Sequence, residues 1–206
     1  ISEDLKIMRP SLLPGLLSAA KRNLDRSATS VRLFEVGRRY FRKGDGATDE
    51  RQTLALLLAG ERSQRDWQDG KAQGFGPFDA KAEVEALLAA AGVDVERLMP
   101  MGEAGGHYHP GQSGTLRLGP KNVLAAFGTL HPSVARAFGL KGVVVGAEIF
   151  LDAIPVKAKT GHRRDAYAPP TQQAVTRDFA FLVDVDKPAG DLVRAIRGAE
   201  KKHVAA

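Results

Sequence analysis

The run Leu54-Ala55-Leu56-Leu57-Leu58-Ala59 constrains the fold more than any other stretch. No apolar run in the chain is longer, and it falls far short of the roughly 20 residues that a membrane span needs. With Thr53 in front, residues 53–59 read as a buried strand in the middle of a sheet. Residues 31–41 are rich in β-branched and aromatic side chains and supply a neighbouring strand. Between the two, Gly44-Asp45-Gly46 marks a turn within the polar stretch 42–51. The spacing predicts an antiparallel hairpin whose loop is too long for a tight turn. A second hairpin is predicted from Thr115–Leu118 and Val123–Leu130, joined by Gly119-Pro120-Lys121-Asn122. Residues 143–151 form a last strand, with Val145, Ala147, Ile149 and Leu151 on one face.

Helices fill the gaps. Leu13, Leu16, Leu17, Ala20 and Leu24 share one face of a helix over about 14–24, with Pro14 in its first turn and Ser11 as cap. Asp79 is expected to cap a helix over 80–91 that buries Val84, Leu87, Leu88 and Ala91 and ends at Gly92. His131-Pro132-Ser133 starts a short helix to Phe138. Residues 61–77 and 99–114 read as irregular and glycine-rich. The fold class is therefore α+β, an antiparallel sheet with flanking helices.

The character changes near residue 152. Lys157, Lys159, Arg163, Arg164 and Pro169-Pro170 make a basic connector. We expect a first domain over 1–155, a linker over 156–170 and the start of a second domain over 171–206. That second part holds one strand, Asp178–Val185, and one helix, Pro188–Ala199, which cannot bury a core alone. The chain opens at Ile1-Ser2-Glu3-Asp4 with no initiator Met, basic n-region or apolar h-region. It reads as a piece of a longer protein.

The chemistry that residue types permit is limited. No cysteine is present, so disulfides, thiol catalysis and Cys-ligated zinc are excluded. No G-x-x-x-x-G-K-[ST] loop or G-x-G-x-x-G turn occurs. Gly111-Gln112-Ser113-Gly114-Thr115 resembles a nucleophile elbow, except that Thr115 stands where glycine is needed. His107 and His109 would point the same way on a strand, with Glu103 near in sequence, but no third metal ligand lies close. Asp184 and Asp186 suit the end of a strand and a helix cap. The net charge is +6, with 11 Lys+Arg against 7 Asp+Glu in residues 1–60 and 8 against 6 in residues 161–206. Basic ends are compatible with an acidic partner such as RNA, but a mildly basic solvated surface explains them too.

Specific strings go further. Met8-Arg9-Pro10-Ser11-Leu12-Leu13-Pro14-Gly15-Leu16-Leu17, Arg22-Asn23-Leu24 and Arg32-Leu33-Phe34-Glu35-Val36-Gly37-Arg38 resemble the beta subunit of bacterial phenylalanine–tRNA ligases. Phe78-Asp79-Ala80-Lys81, Tyr108-His109-Pro110-Gly111-Gln112-Ser113 and Phe127-Gly128-Thr129-Leu130-His131-Pro132 follow in the family order. Thr176-Arg177-Asp178-Phe179-Ala180-Phe181 resembles the start of that family's C-terminal anticodon-binding domain.

The resemblance implies a cytoplasmic, tRNA-binding heterotetramer of two alpha and two beta subunits that joins phenylalanine to tRNA(Phe) with ATP and magnesium. The alpha subunit would hold the active site. Residues 1–155 would be a class II synthetase-like core without catalysis, and residues 171–206 the start of a ferredoxin-like domain. No membrane is involved. This segment would carry no catalytic residue, bind no metal and hold no cofactor itself.

Class II enzymes place an Arg-x-Glu after an aromatic residue. Here the matching stretch is Phe41-Arg42-Lys43-Gly44, with glycine at the glutamate position. The nearest third-motif candidate, Gly139-Leu140-Lys141-Gly142, lacks the arginine expected at a strand-to-helix junction. Arg38, Arg39 and Arg42 then read as surface or interface charge. Arg163, Arg164 and Arg177 are the candidates for tRNA phosphate contacts. Two alternatives remain: a freestanding RNA-binding module that reuses the fold, and a serine hydrolase centred on Ser113 with His107 or His109.

Overall fold

The computed structural model describes residues 6–68, 70–102, 104–156, 169 and 173–200. The chain divides into two compact units, Ile1–Val156 and Lys157–Ala206.

The first unit is built on one antiparallel sheet. Its strands are β1 (Ser30–Arg42), β2 (Thr48–Ser63), β3 (Gln73–Gly74), β4 (Met99–Met101), β5 (Tyr108–Arg117), β6 (Val123–Leu130) and β7 (Val144–Phe150). The spatial order is β1-β2-β7-β6-β5-β4, and the short β3 pairs with the end of β2 at Glu61 and Ser63. The last strand in sequence thus lies between β2 and β6.

The apolar run of β2 is explained by helices on both sides. Ala55, Leu57 and Ala59 face α1 (Leu13–Leu24), which buries Leu13, Leu16, Leu17 and Ala20 against them. Leu56 and Leu58 face α2 (Pro77–Ala90), which contributes Ala80, Val84 and Leu88. Each large aliphatic side chain buried this way stabilises the fold by about 2–3 kcal/mol. A short α3 (Pro132–Ala137) adds Ala135 to the α1 side.

Several boundaries differ from the sequence expectation. The first hairpin is far tighter than predicted, because β1 and β2 extend through the polar residues to a turn at Lys43–Ala47. Cross-strand ion pairs, Arg38–Glu50 at 2.6 Å and Lys43–Asp49 at 3.9 Å, make the charged sequence compatible with a solvent-facing ladder. Residues 99–114 are not wholly irregular: they supply β4 and most of β5. A bulge between Tyr108 and Ser113 accommodates the glycine-rich stretch. Opposite it, Gly128 has φ +146°, and a Cβ there would lie 2.4 Å from the Ser113 Cβ. Only glycine fits where the strands approach this closely.

Asp79 does not occupy the cap of α2. It sits in the first turn, and its carboxylate accepts the Gly76 N–H at 2.7 Å. Ser11 lies one residue before the cap of α1 and accepts the Leu13 N–H at 3.1 Å. His131 caps α3, its Nδ1 accepting the Ser133 N–H at 3.2 Å.

In the second unit, α4 (Ala189–Ala199) matches the expected helix. Residues 178–185 are not a strand: none has a ladder partner among the described residues, and Phe179, Phe181, Val183 and Val185 are exposed. A strand is held by backbone bonds to a neighbour, and side-chain alternation alone does not supply one. Nor do Asp184 and Asp186 cap α4, whose cap residue is Pro188.

Candidate functional site

The tip of the β1–β2 hairpin, the end of β7 and the β5–β6 turn enclose an open cleft of about 720 Å³. Arg39, Phe41, Arg51, Lys121, Asn122, Phe150 and Asp152 are among its walls. Strand register sets the arrangement. Gly37 pairs with Thr53 and Thr53 with Phe150, so these positions share the α1 side of the sheet with Arg39 and Phe41. Arg39 Nε donates to the Thr53 hydroxyl at 2.7 Å. Its guanidinium lies 4.4 Å from the Phe150 ring centre and 5.2 Å from that of Phe41. Thr53 is fully buried and fixes the donor.

Arg39 was expected to be surface or interface charge. It lines an open surface cleft and is half-buried and stacked there, because its parity on β1 matches that of Leu33, not of the outward Arg38. Burial holds its guanidinium below the usual arginine range, and the nearby Glu148 charge opposes that shift. No carboxylate among the described residues forms an ion pair with it; its polar bond goes to a neutral hydroxyl. The cleft's acids are engaged elsewhere. Asp49 pairs with Arg51 at 2.8 Å, Glu50 with Arg38 at 2.6 Å, and Asp152 accepts the Gln52 N–H at 2.6 Å.

Beneath this cleft lies a buried polar cluster. Glu148, on β7, is 3% exposed and accepts bonds from the Ser11 hydroxyl at 2.9 Å and the Leu12 N–H at 3.1 Å. Tyr108 is buried and donates to the Ala126 carbonyl at 3.4 Å. Burial, and secondly the Glu148 charge, push its phenol well above the ordinary 10.0. His107 lies against Tyr108 with ring centres 4.4 Å apart. Burial holds its imidazole below the ordinary 6.5, against the pull of Glu148, and its Nε2 is buried with no hydrogen-bond partner among the described residues. Sequence reading passed over Glu148, although it is the one charged residue within the apolar stretch 143–151.

The pair that the alternative hydrolase reading needs does not assemble. The Ser113 hydroxyl donates to the His109 backbone carbonyl at 2.6 Å, so its proton is not offered to an imidazole. His109 Nδ1 accepts the Gly111 N–H at 3.1 Å, a local turn contact. Among the described residues no three His, Asp or Glu side chains cluster as metal ligands; Glu103 lies outside those residues.

Arg42 is exposed at the end of β1, and Gly44 stands in the turn with open space around it. The segment Gly139-Leu140-Lys141-Gly142 connects α3 to β7, a helix-to-strand link, whereas the class II third motif needs strand-to-helix. Arg177 is exposed in the second unit, and Arg163 and Arg164 lie outside the described residues. Among the described residues no helix is long and apolar enough to cross a membrane.

Residues 1–151 match the family model described as the phenylalanyl tRNA synthetase beta chain CLM domain. A phenylalanine–tRNA ligase beta subunit from Novosphingobium aromaticivorans is 65% identical over all of this chain, which covers 26% of that relative. A beta subunit from Mesorhizobium japonicum is 46% identical, with the same coverage. The chain thus spans about a quarter of the length of these relatives. In fold, it is similar to PylSc, a pyrrolysyl tRNA synthetase of Desulfitobacterium hafniense, with TM-score 0.50 and 20% identity over 71% of this chain and 48% of that one. An antiparallel sheet with flanking helices, the fold shared with that synthetase, and a family match over residues 1–151 converge: the chain belongs to the phenylalanyl tRNA synthetase beta chain CLM domain family.

Proposed function

We propose that this chain is a non-catalytic part of a phenylalanine–tRNA ligase beta subunit, serving ATP-dependent aminoacylation of tRNA(Phe) in the cytoplasm as scaffold for the alpha subunit and for tRNA. Residues 1–155 act as the class II-like core, 156–170 as the linker, and 171–206 as the start of a ferredoxin-like anticodon-binding domain. The observation that carries this reading is the emptied motif geometry. An exposed turn glycine, Gly44, stands where a nucleotide-holding glutamate belongs, and Gly139–Gly142 runs from helix to strand without an arginine.

ATP and magnesium serve the whole enzyme. The residues here do not fit them: neither class II motif is complete, and the described residues hold no cluster of metal ligands. No chemical step is therefore assigned to this chain. Its residues instead bind and position. Arg177, with Arg163 and Arg164, supplies phosphate contacts that hold tRNA without reading its sequence.

Co-expression with the alpha subunit of the same organism tests the reading. Stable co-purification is expected, with no phenylalanine-dependent pyrophosphate exchange by this chain alone. Exchange by the purified chain, or failure of the two to associate, would overturn it. Reversing Arg177 to Glu is expected to weaken tRNA binding and reduce its salt dependence without changing sequence preference.

A further inference from the structure

The cleft at the hairpin tip carries an inference that goes beyond the scaffold role. Arg39 is a half-buried cation whose Nε is spent on Thr53 and whose flat face lies on Phe150. Those contacts fix the guanidinium plane, so little side-chain freedom is left to lose on binding. The acids around it are already held by Arg51, by Arg38 and by the Gln52 N–H. Glu148, deeper on the same face, is held by Ser11 and the Leu12 N–H and makes no ion pair with Arg39. Lys121 adds a second, exposed cation from another wall.

We propose that this cleft is an oxyanion seat in which Arg39 anchors a phosphate group and Lys121 supports it from the β5–β6 turn. A planar guanidinium fork pairs bidentately with phosphate oxygens. Two cations lining one cleft suit a group carrying more than one negative charge. The volume, about 720 Å³, is that of a small-molecule site and leaves room for the carrier of the phosphate. That carrier is either a free phosphate compound or the backbone of an RNA strand.

The test follows the Arg39 Nε–Hε signal by NMR in the chain at low ionic strength, with calorimetry in parallel. One arm titrates inorganic phosphate and pyrophosphate; the other titrates a single-stranded RNA oligonucleotide without terminal phosphates. A shift of the Arg39 signal with the first arm assigns a free phosphate ligand, and a shift with the second assigns the RNA backbone. Arg39→Gln is expected to weaken the binding at least about tenfold, and Arg39→Lys not to restore it, because the fork is lost. Lys121→Ala, at an exposed turn position, is expected to weaken it about threefold and serves if the Arg39 variants do not fold. No shift with either probe overturns the proposal. So does binding that Arg39→Gln, or both Arg39→Lys and Lys121→Ala, leave unchanged.

Discussion

Glu148 and Ser11 are 137 residues apart in sequence, and the carboxylate of one accepts the hydroxyl proton of the other at 2.9 Å. The same oxygen accepts the Leu12 N–H at 3.1 Å, so one buried side chain on β7 ties down the approach to α1. Glu148→Ala leaves both donors without this partner in a site that water barely reaches. The expected loss is about 2–4 kcal/mol in urea unfolding, against about 1–2 kcal/mol for Ser11→Ala, which removes one of these two bonds and the acceptor of the Leu13 N–H but leaves no buried charge unpaired. A smaller loss for Glu148→Ala than for Ser11→Ala would contradict this ranking.

Gly128→Ala is expected to be among the most damaging single-methyl changes in the first unit. Its Cβ would meet the Ser113 Cβ at 2.4 Å and the Gln112 carbonyl at 2.5 Å, at a φ that L residues rarely adopt. Neither neighbour is the free end of a flexible side chain. A loss of about 3 kcal/mol or more is expected, read as a drop in the unfolding midpoint.

Leu88→Ala and Leu57→Ala probe the two layers separately. Both side chains are fully buried, one on the α2 side and one on the α1 side. Each substitution is expected to cost about 2–5 kcal/mol, and the two losses to add, since they fall on opposite faces of the sheet. Equilibrium unfolding of the single and double variants measures both.

Two titrations bound the pH range of stability from opposite sides. Tyr108 has a folded pKa raised well above 10.0, so its contribution is complete below about pH 10 and falls away at more alkaline pH. His107 has a folded pKa below 6.5, so its contribution is complete above that pH and is lost as acid protonates the imidazole. Tyr108→Phe should flatten the alkaline limb of a stability profile, and His107→Gln the limb just below pH 6.5. An acid limb that His107→Gln leaves unaltered would show the imidazole to be uninvolved.

Helix and strand positions were legible where periodicity was strong. Leu13, Leu16, Leu17 and Ala20 marked α1, and the run through Leu58 marked the central strand. The hairpin tip was misread because Asp49, Glu50 and Arg51 look like loop residues, yet their charges pair across or along the strands. The start of β5 was hidden by a bulge, which breaks the two-residue period. The cleft was illegible for a different reason. Arg39, Thr53 and Phe150 come together only through the register of three strands, and no local pattern encodes a register set by a strand nearly a hundred residues away.

That last strand has a consequence for how the chain acquires its shape during synthesis. The β1–β2 hairpin emerges early, and β4, β5 and β6 can form a separate meander as they follow. Until β7 arrives, β2 and β6 each present a bare edge, and neither hydrophobic layer spans the sheet. Slotting β7 between them joins the two halves, completes both layers in one step and carries Glu148 to the segment before α1. Closure of such distant pairings is slow and leaves sticky edges exposed meanwhile. A nascent chain stalled before residue 144 would therefore be two unfinished sheets awaiting a shared centre.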